Sequence, residues 1–402
     1  MGIQMRFITR IAAFAGILIL LLVLFADTAK ADDRDQLLDE LTKGVDEKIS
    51  ELDLSEIQKI LDELPEEIKK LTGRDASDFL EGIVTGKIVL DAGSFLDVIG
   101  SIFFRELKNN AVFFLQIILL VILGGILKNM SPSVGKDSVN EIAQFACYAL
   151  VAALIAASFS SVIAGAVQTI DSMNTLLKAS FPVLLTLLTA LGGIYSAGVF
   201  KPVMPFMTAV SGTFLKDIML PLVLIFAVLT LISNFSSRIQ IKKLAGLAGS
   251  AGKWLIGIVS TVFLGVMAIQ GISAGSFDGL SIRTAKFAVD KLVPVVGHMM
   301  SDTMDTVMSC SLLVKNAFGI VSLVVLCGVI LLPLVKLIVL IFMYKASSAI
   351  LEPVGDSRIV QCLHDMSEVI TMLFAIMLVL GAMMFIAIAL LIGTGNANMM
   401  MR

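Results

Sequence analysis

Histidine occurs twice, tryptophan once, tyrosine three times and cysteine four times in 402 residues. His298 and His364 stand apart, and neither lies in a cluster of ligand-type side chains, which argues against zinc chemistry. Cys147, Cys310, Cys327 and Cys362 make no C-x-x-C pair, and residues 32–108 hold no cysteine, so we expect neither a disulfide framework nor a metal site. The chain lacks H-E-x-x-H, G-x-S-x-G, a phosphate-binding loop and a Gly-rich dinucleotide fingerprint. We therefore expect no catalytic residues and no cofactor, in a chain that is not an enzyme. Charge is scarce too, at 16% of residues against 57% hydrophobic. No basic soluble patch is present, which argues against nucleic acid as a partner.

What the chain has is apolar length. Mean hydropathy is +0.95, and several runs of about 18 or more apolar residues mark a polytopic membrane protein. Charge is unevenly placed. Residues 32–81 carry 17 acids and 7 bases, a net of −10, and the remainder is +7. Arg6 and Arg10, the apolar run 11–25 and Ala29-Lys30-Ala31 form the three regions of a secretory signal peptide, 1–31, with cleavage after Ala31. An uncleaved anchor is the competing reading, and both send the next segment out of the cytoplasm. Residues 32–110 then form an acidic, helical, extracytoplasmic module. Ile57, Ile60, Leu61, Leu64, Ile68 and Leu71 recur at helical spacing, Ser55 with Gln58 reads as a capping box, Pro65 opens a new helix and Gly73 ends it. A second amphipathic stretch, 93–108, either packs on this module or lies in the headgroup plane.

The first transmembrane segment, with its cytoplasmic loop, occupies 111–141. Further apolar runs follow at 142–170, 180–200, 203–232, 254–274, 317–344 and 367–392. Loop 233–253 carries Arg238, Lys242, Lys243 and Lys253 and no acid, so it should be cytoplasmic. Simple alternation of the runs would place it outside. An internal repeat removes the conflict. Pro182 in Phe-Pro-Val matches Pro294 in Val-Pro-Val, and Ile-Met-Leu-Pro-Leu-Val (218–223) matches Ile-Leu-Leu-Pro-Leu-Val (330–335), both at a shift of 112. We expect tandem copies at 142–233 and 254–345, followed by 346–402 as a loop, a last span and a short tail. In each copy a middle segment, 180–213 or 283–316, is re-entrant, the first turning near Gly192-Gly193. The expected fold class is thus all-α: a polytopic helical membrane protein with a tandem repeat and a small N-terminal helical module outside the cytoplasm.

The half-polar stretch 283–316 concentrates the candidate pore or interface residues Arg283, Lys286, Asp302, Asp305 and Lys315. Asp302 and Asp305 share a helical face, where they serve as polar decoration paired with Arg283 or Lys286, or as an intramembrane acid pair. Lys216 and Asp217 interrupt an apolar run and read as a neutralised pair at a pore or hinge element. Lys336 is expected to snorkel to the cytoplasmic boundary.

Arg-Thr-Ala-Lys-Phe (283–287), Pro-Val-Val-Gly (294–297), Ser-Asp-Thr-Met-Asp-Thr-Val (301–307) and Leu-Leu-Val-Lys-Asn (312–316) resemble the signature segment of the stage III sporulation protein AE family. Tyr-Lys-Ala (344–346), Leu-Glu-Pro (351–353) and Gly-Asn-Ala-Asn-Met-Met-Met-Arg (395–402) extend the resemblance over nearly the whole chain. It implies a component of the stage III sporulation A complex of endospore-forming bacteria, in the mother-cell membrane around the forespore; the repeat and the polarity of 283–316 at membrane depth add the expectation of a structural, pore-forming subunit. There it would work as a channel or feeding apparatus, with a secretion-type ATPase and a forespore-side partner. No family catalytic residue carries over. The residues alone leave two other readings open: a stand-alone secondary transporter built on the two-repeat body, and an intramembrane protease using Asp302 or Asp305.

Overall fold

The computed structural model describes residue 49 and residues 52–73, 75–85, 92–130, 137–235, 241–292 and 296–400; the expected signal peptide, 1–31, lies outside them. No strand occurs among the described residues. From residue 52 on, the described residues open with short helices α1 (Ser55–Glu63), α2 (Glu66–Thr72) and α3 (Ala76–Val84). Their boundaries follow from local chemistry. Pro65 is the N-cap of α2 and Gly73 its C-cap, at φ 75°. The expected capping box does not form. Ser55 already lies inside α1, and its hydroxyl and amide donate to Asp53 Oδ1 at 2.6 and 3.1 Å. The Ser55 hydroxyl thereby holds the Asp53 carboxyl below the usual carboxylate range.

Gln58 does a different task. Its Oε1 accepts the Ala76 amide at 2.7 Å, satisfying an otherwise orphaned N–H in the first turn of α3, while Asp75 Oδ1 accepts the amides of Ser77 and Asp78. Changing Gln58→Leu should therefore cost about 1–2 kcal/mol by stranding a part-buried amide. Thermal unfolding of the detergent-solubilised full chain checks this, with Lys59→Leu at the exposed neighbour as the silent control.

These helices are not free-standing. Ile57, Leu61, Leu64, Ile68, Phe79 and Leu80 are buried in the same apolar core as the long helices. A Cβ at Gly328 would come within 3.0–3.1 Å of Ile68 and Leu64, so glycine there lets α2 rest directly on a long helix. Arg105 pairs with Glu67 of α2 from another long helix.

The body is built from α4 (Ala92–Met130), α5 (Asp137–Ala190), α6 (Ile194–Phe200), α7 (Val203–Ala209), a π-helix (Val210–Met219), α8 (Leu220–Phe235), α9 (Lys242–Leu292), α10 (Val296–Leu351) and α11 (Ser357–Met400). The amphipathic stretch 93–108 is the first part of α4, continuous with the span that follows; Val98 and Ile102 are buried, which favours packing over a helix lying in the headgroup plane. Helix α11 is the central element. In its most apolar window 78% of residues are buried against protein, compared with 17% in α9, which forms an outer face. Helices α5, α8, α9 and α10 all pack on α11.

Length is informative. Helices α5, α9 and α10 have 54, 51 and 56 residues. At 1.5 Å per residue each is about 75–85 Å long, although about 20 residues suffice to cross a bilayer core. The exposed face of α5 shows where the surplus lies. It runs from Ile142, Phe145 and Leu150 through Ala153, Ala156, Ala157, Ser160, Ser161 and Ala164 to Gln168, Asp171, Thr175 and Lys178. An apolar face that turns polar along one unbroken helix is that of a helix leaving lipid for water or protein. The run expected at 142–170 and the first part of the run expected at 180–200 are therefore one helix as far as Ala190, and the polar residues between them form an exposed polar face instead of a break.

Candidate functional site

Helix α5 ends in a tight reversal. Gly192 has φ +81°, in the left-handed region that a side chain disfavours, and the amides of Gly192 and Gly193 return to the carbonyls of Thr189 and Leu188 at 2.9 and 3.0 Å. The turn expected at Gly192-Gly193 is thus present. The chain then runs back along α5 as a long antiparallel arm: α6, α7, the π-helix and α8.

Polar links join the two arms at three levels among the described residues. Near the base, Tyr148 Oη donates to the Leu231 carbonyl at 2.8 Å. Further out, Lys216 Nζ donates to both carboxylate oxygens of Asp171, at 2.7 and 2.8 Å. Beyond that, Ser211 Oγ bonds with Asn174 Oδ1 and lies 2.8 Å from the Met207 carbonyl. The pairing expected between Lys216 and Asp217 is replaced by this cross-arm pair. Adjacent helical residues point in different directions, so Asp217 is carried to an exposed position while Lys216 meets α5. The Lys216 and Asp171 side chains are 36% and 52% exposed, so the pair orients the arms more than it stabilises them. Lys216 lies 19 residues from the end of α8, about 28 Å, close to one bilayer core.

In the signature stretch, Lys315 is the candidate whose side chain is described. Unlike Lys216 it is fully buried, at 0% exposure, and its Nζ donates to the Ile392 carbonyl of α11 at 2.9 Å. Gly319, one turn further along α10, makes this possible, because a Cβ there would overlap the Ile392 side chain. Ser311, one turn before Lys315, is also fully buried, and its Oγ has no hydrogen-bond partner among the described residues. Lys315 therefore joins α10 to α11 inside the protein, and does not line an open path in this structure. Lys336 is half-buried within α10.

Arg283 and Lys286 fall in α9, and Asp302 and Asp305 in α10. Their side chains lie outside the described residues, as does Pro294. Of the matched prolines, Pro182 sits inside α5, Pro221 follows the π-helix as the second residue of α8, and Pro333 sits inside α10. Among the described residues no three His, Cys, Asp or Glu side chains are grouped to hold a metal ion. Sequence reasoning missed Asp171 and Asn174. The available signal was their spacing of three on a helix that continues beyond its apolar run.

Among the described residues six helical segments are long and apolar enough to cross a membrane: Gly93–Ile126, Gln144–Ala190, Ile194–Asn234, Lys242–Gly271, Val307–Leu351 and Ser357–Thr394. The fold thus defines an all-helical, multi-pass membrane protein. Residues 74–395 match the family described as Stage III sporulation protein AE, and the chain belongs to that family. It is 34% identical over 307 residues to the Stage III sporulation protein AE of Bacillus subtilis (strain 168), covering 76% of this chain and 77% of the relative. No solved structure matches it.

Proposed function

We propose that this chain is a structural, pore-forming membrane subunit of the channel between mother cell and forespore, and that it works with other stage III sporulation complex proteins. A secretion-type ATPase on the cytoplasmic side and a forespore-side partner are among them. Family membership supports the sporulation role, and the observation that carries the architectural part is the surplus length of α5, α9 and α10. Helices about 80 Å long extend well past one bilayer and offer a surface to neighbours outside it. Lys242, Lys243 and Lys253 at the start of α9 support a cytoplasmic base, which leaves α1–α3 and the Gly192-Gly193 turn on the far side of the mother-cell membrane. The tandem copies, 142–233 and 254–345, belong to the same proposal: each contains a long helix and a returning arm.

Deleting the gene from its endospore-forming host tests this reading. The expected result is arrest after engulfment, with small or collapsing forespores and few heat-resistant spores, restored by a wild-type copy. Normal spore counts in the deletion strain would overturn it.

A further inference from the structure

We propose that Val210–Met219 is a register switch in the returning arm, held in its π form by Ser211 and Lys216 acting on α5. The segment is ten residues of i→i+5 helix, closed by the Leu220 amide on the Leu215 carbonyl, with α-helix on both sides. Such runs are rare, and shorter π-bulges concentrate at functional sites. The matched proline run 330–335 is α-helical throughout α10, so the shared Pro-Leu-Val motif does not itself impose the wider register.

The geometry of the links explains what does. Asp171 and Asn174 are three apart on α5 and share one face. Their partners, Ser211 and Lys216, are five apart. In an α-helix, at about 100° per residue, positions five apart diverge by about 140° and cannot both meet one face of a neighbour. In an i→i+5 helix the same two positions fall on one side. The two cross-arm links and the π register therefore favour one another, and either link alone biases the segment toward the π form. Pro221 favours the arrangement, because it supplies no amide to the carbonyls of the turn before it. Helix α8 is packed in the body, so conversion of 210–219 to α-helix would turn the distal arm, α6 and α7, about α5, slide α6 along α9, on which it also packs, and carry Ser211 away from Asn174.

The test has a structural arm and a functional arm, and the second rests on the sporulation reading above. In full-length protein in native membranes, with Cys147, Cys310, Cys327 and Cys362 replaced by alanine, an Asn174→Cys, Ser211→Cys pair is oxidised with diamide. Efficient cross-linking is expected, and adding Lys216→Met should lower the yield about twofold by releasing the second link, as suits a part-exposed ion pair. The conservative Lys216→Arg should restore it. An unchanged yield with Lys216→Met would overturn the proposal, whatever the protein does in the cell. In sporulating cells the cross-linked pair should reduce spore counts below those of either single cysteine variant. A fully cross-linked hairpin with undiminished spore counts would show that the arm need not turn, and would overturn the switch while leaving the sporulation role intact.

Discussion

Replacing Gly125 with valine is expected to destabilise the base of the molecule by about 3 kcal/mol or more, at the upper end of overpacking costs. Gly125 lies on α4 against the turn between α10 and α11, and a Cβ there would press into the Val354 carbonyl oxygen. That oxygen belongs to backbone already fixed by the Val354 and Gly355 amides on the Leu351 carbonyl, at 3.2 and 2.7 Å. The neighbour therefore cannot give way as a flexible side chain would. Gly355 approaches α4 from the turn itself, where a Cβ would meet Val121 at 2.8 Å. Gly100, on the same helix, has nothing within 4 Å of an added Cβ. Gly100→Ala should be neutral or stabilising by up to about 1 kcal/mol, because alanine is the better helix former. Thermal unfolding of both variants in one detergent decides the matter. Equal stability of Gly125→Val and Gly100→Ala would show that the joint is looser than its geometry implies.

The fold class was legible because lipid demands long apolar runs, and such runs can be read directly. Pro65, Gly73 and the Gly192-Gly193 reversal were legible because each acts through its own backbone. Long-range pairing was less accessible. Lys216 and Asp217 are neighbours in sequence and read as a pair, yet the partner of Lys216 is Asp171, 45 positions earlier, a match that only the hairpin creates. The polar residues 171–178 read as a gap between spans, because hydropathy registers the loss of lipid contact and not the continuity of the helix. Ser55 and Gln58 matched a capping box locally, but Asp53 and the Ala76 amide supplied better partners. Lys315 read as a pore or interface residue, and its burial between α10 and α11 was not legible, because it depends on a glycine one turn away that allows α11 to cover it.

For Lys315, methionine and alanine should behave differently. Lys315→Ala removes a fully buried side chain and should cost about 2–5 kcal/mol, in the range of large-to-small core substitutions. Lys315→Met keeps most of the volume and should leave stability unchanged or raised. The reason is the balance at the amine. One hydrogen bond to the Ile392 carbonyl returns about 1.5–3 kcal/mol if the amine is charged, while desolvating an ammonium costs several. On this balance the amine is not needed for packing. Spore counts then separate the two roles. If Lys315→Met folds as well as the parent and fails to support sporulation, the amine itself is required where α10 meets α11. If Lys315→Met loses as much stability as Lys315→Ala, the bond to Ile392 is the structural joint, and the argument from desolvation fails.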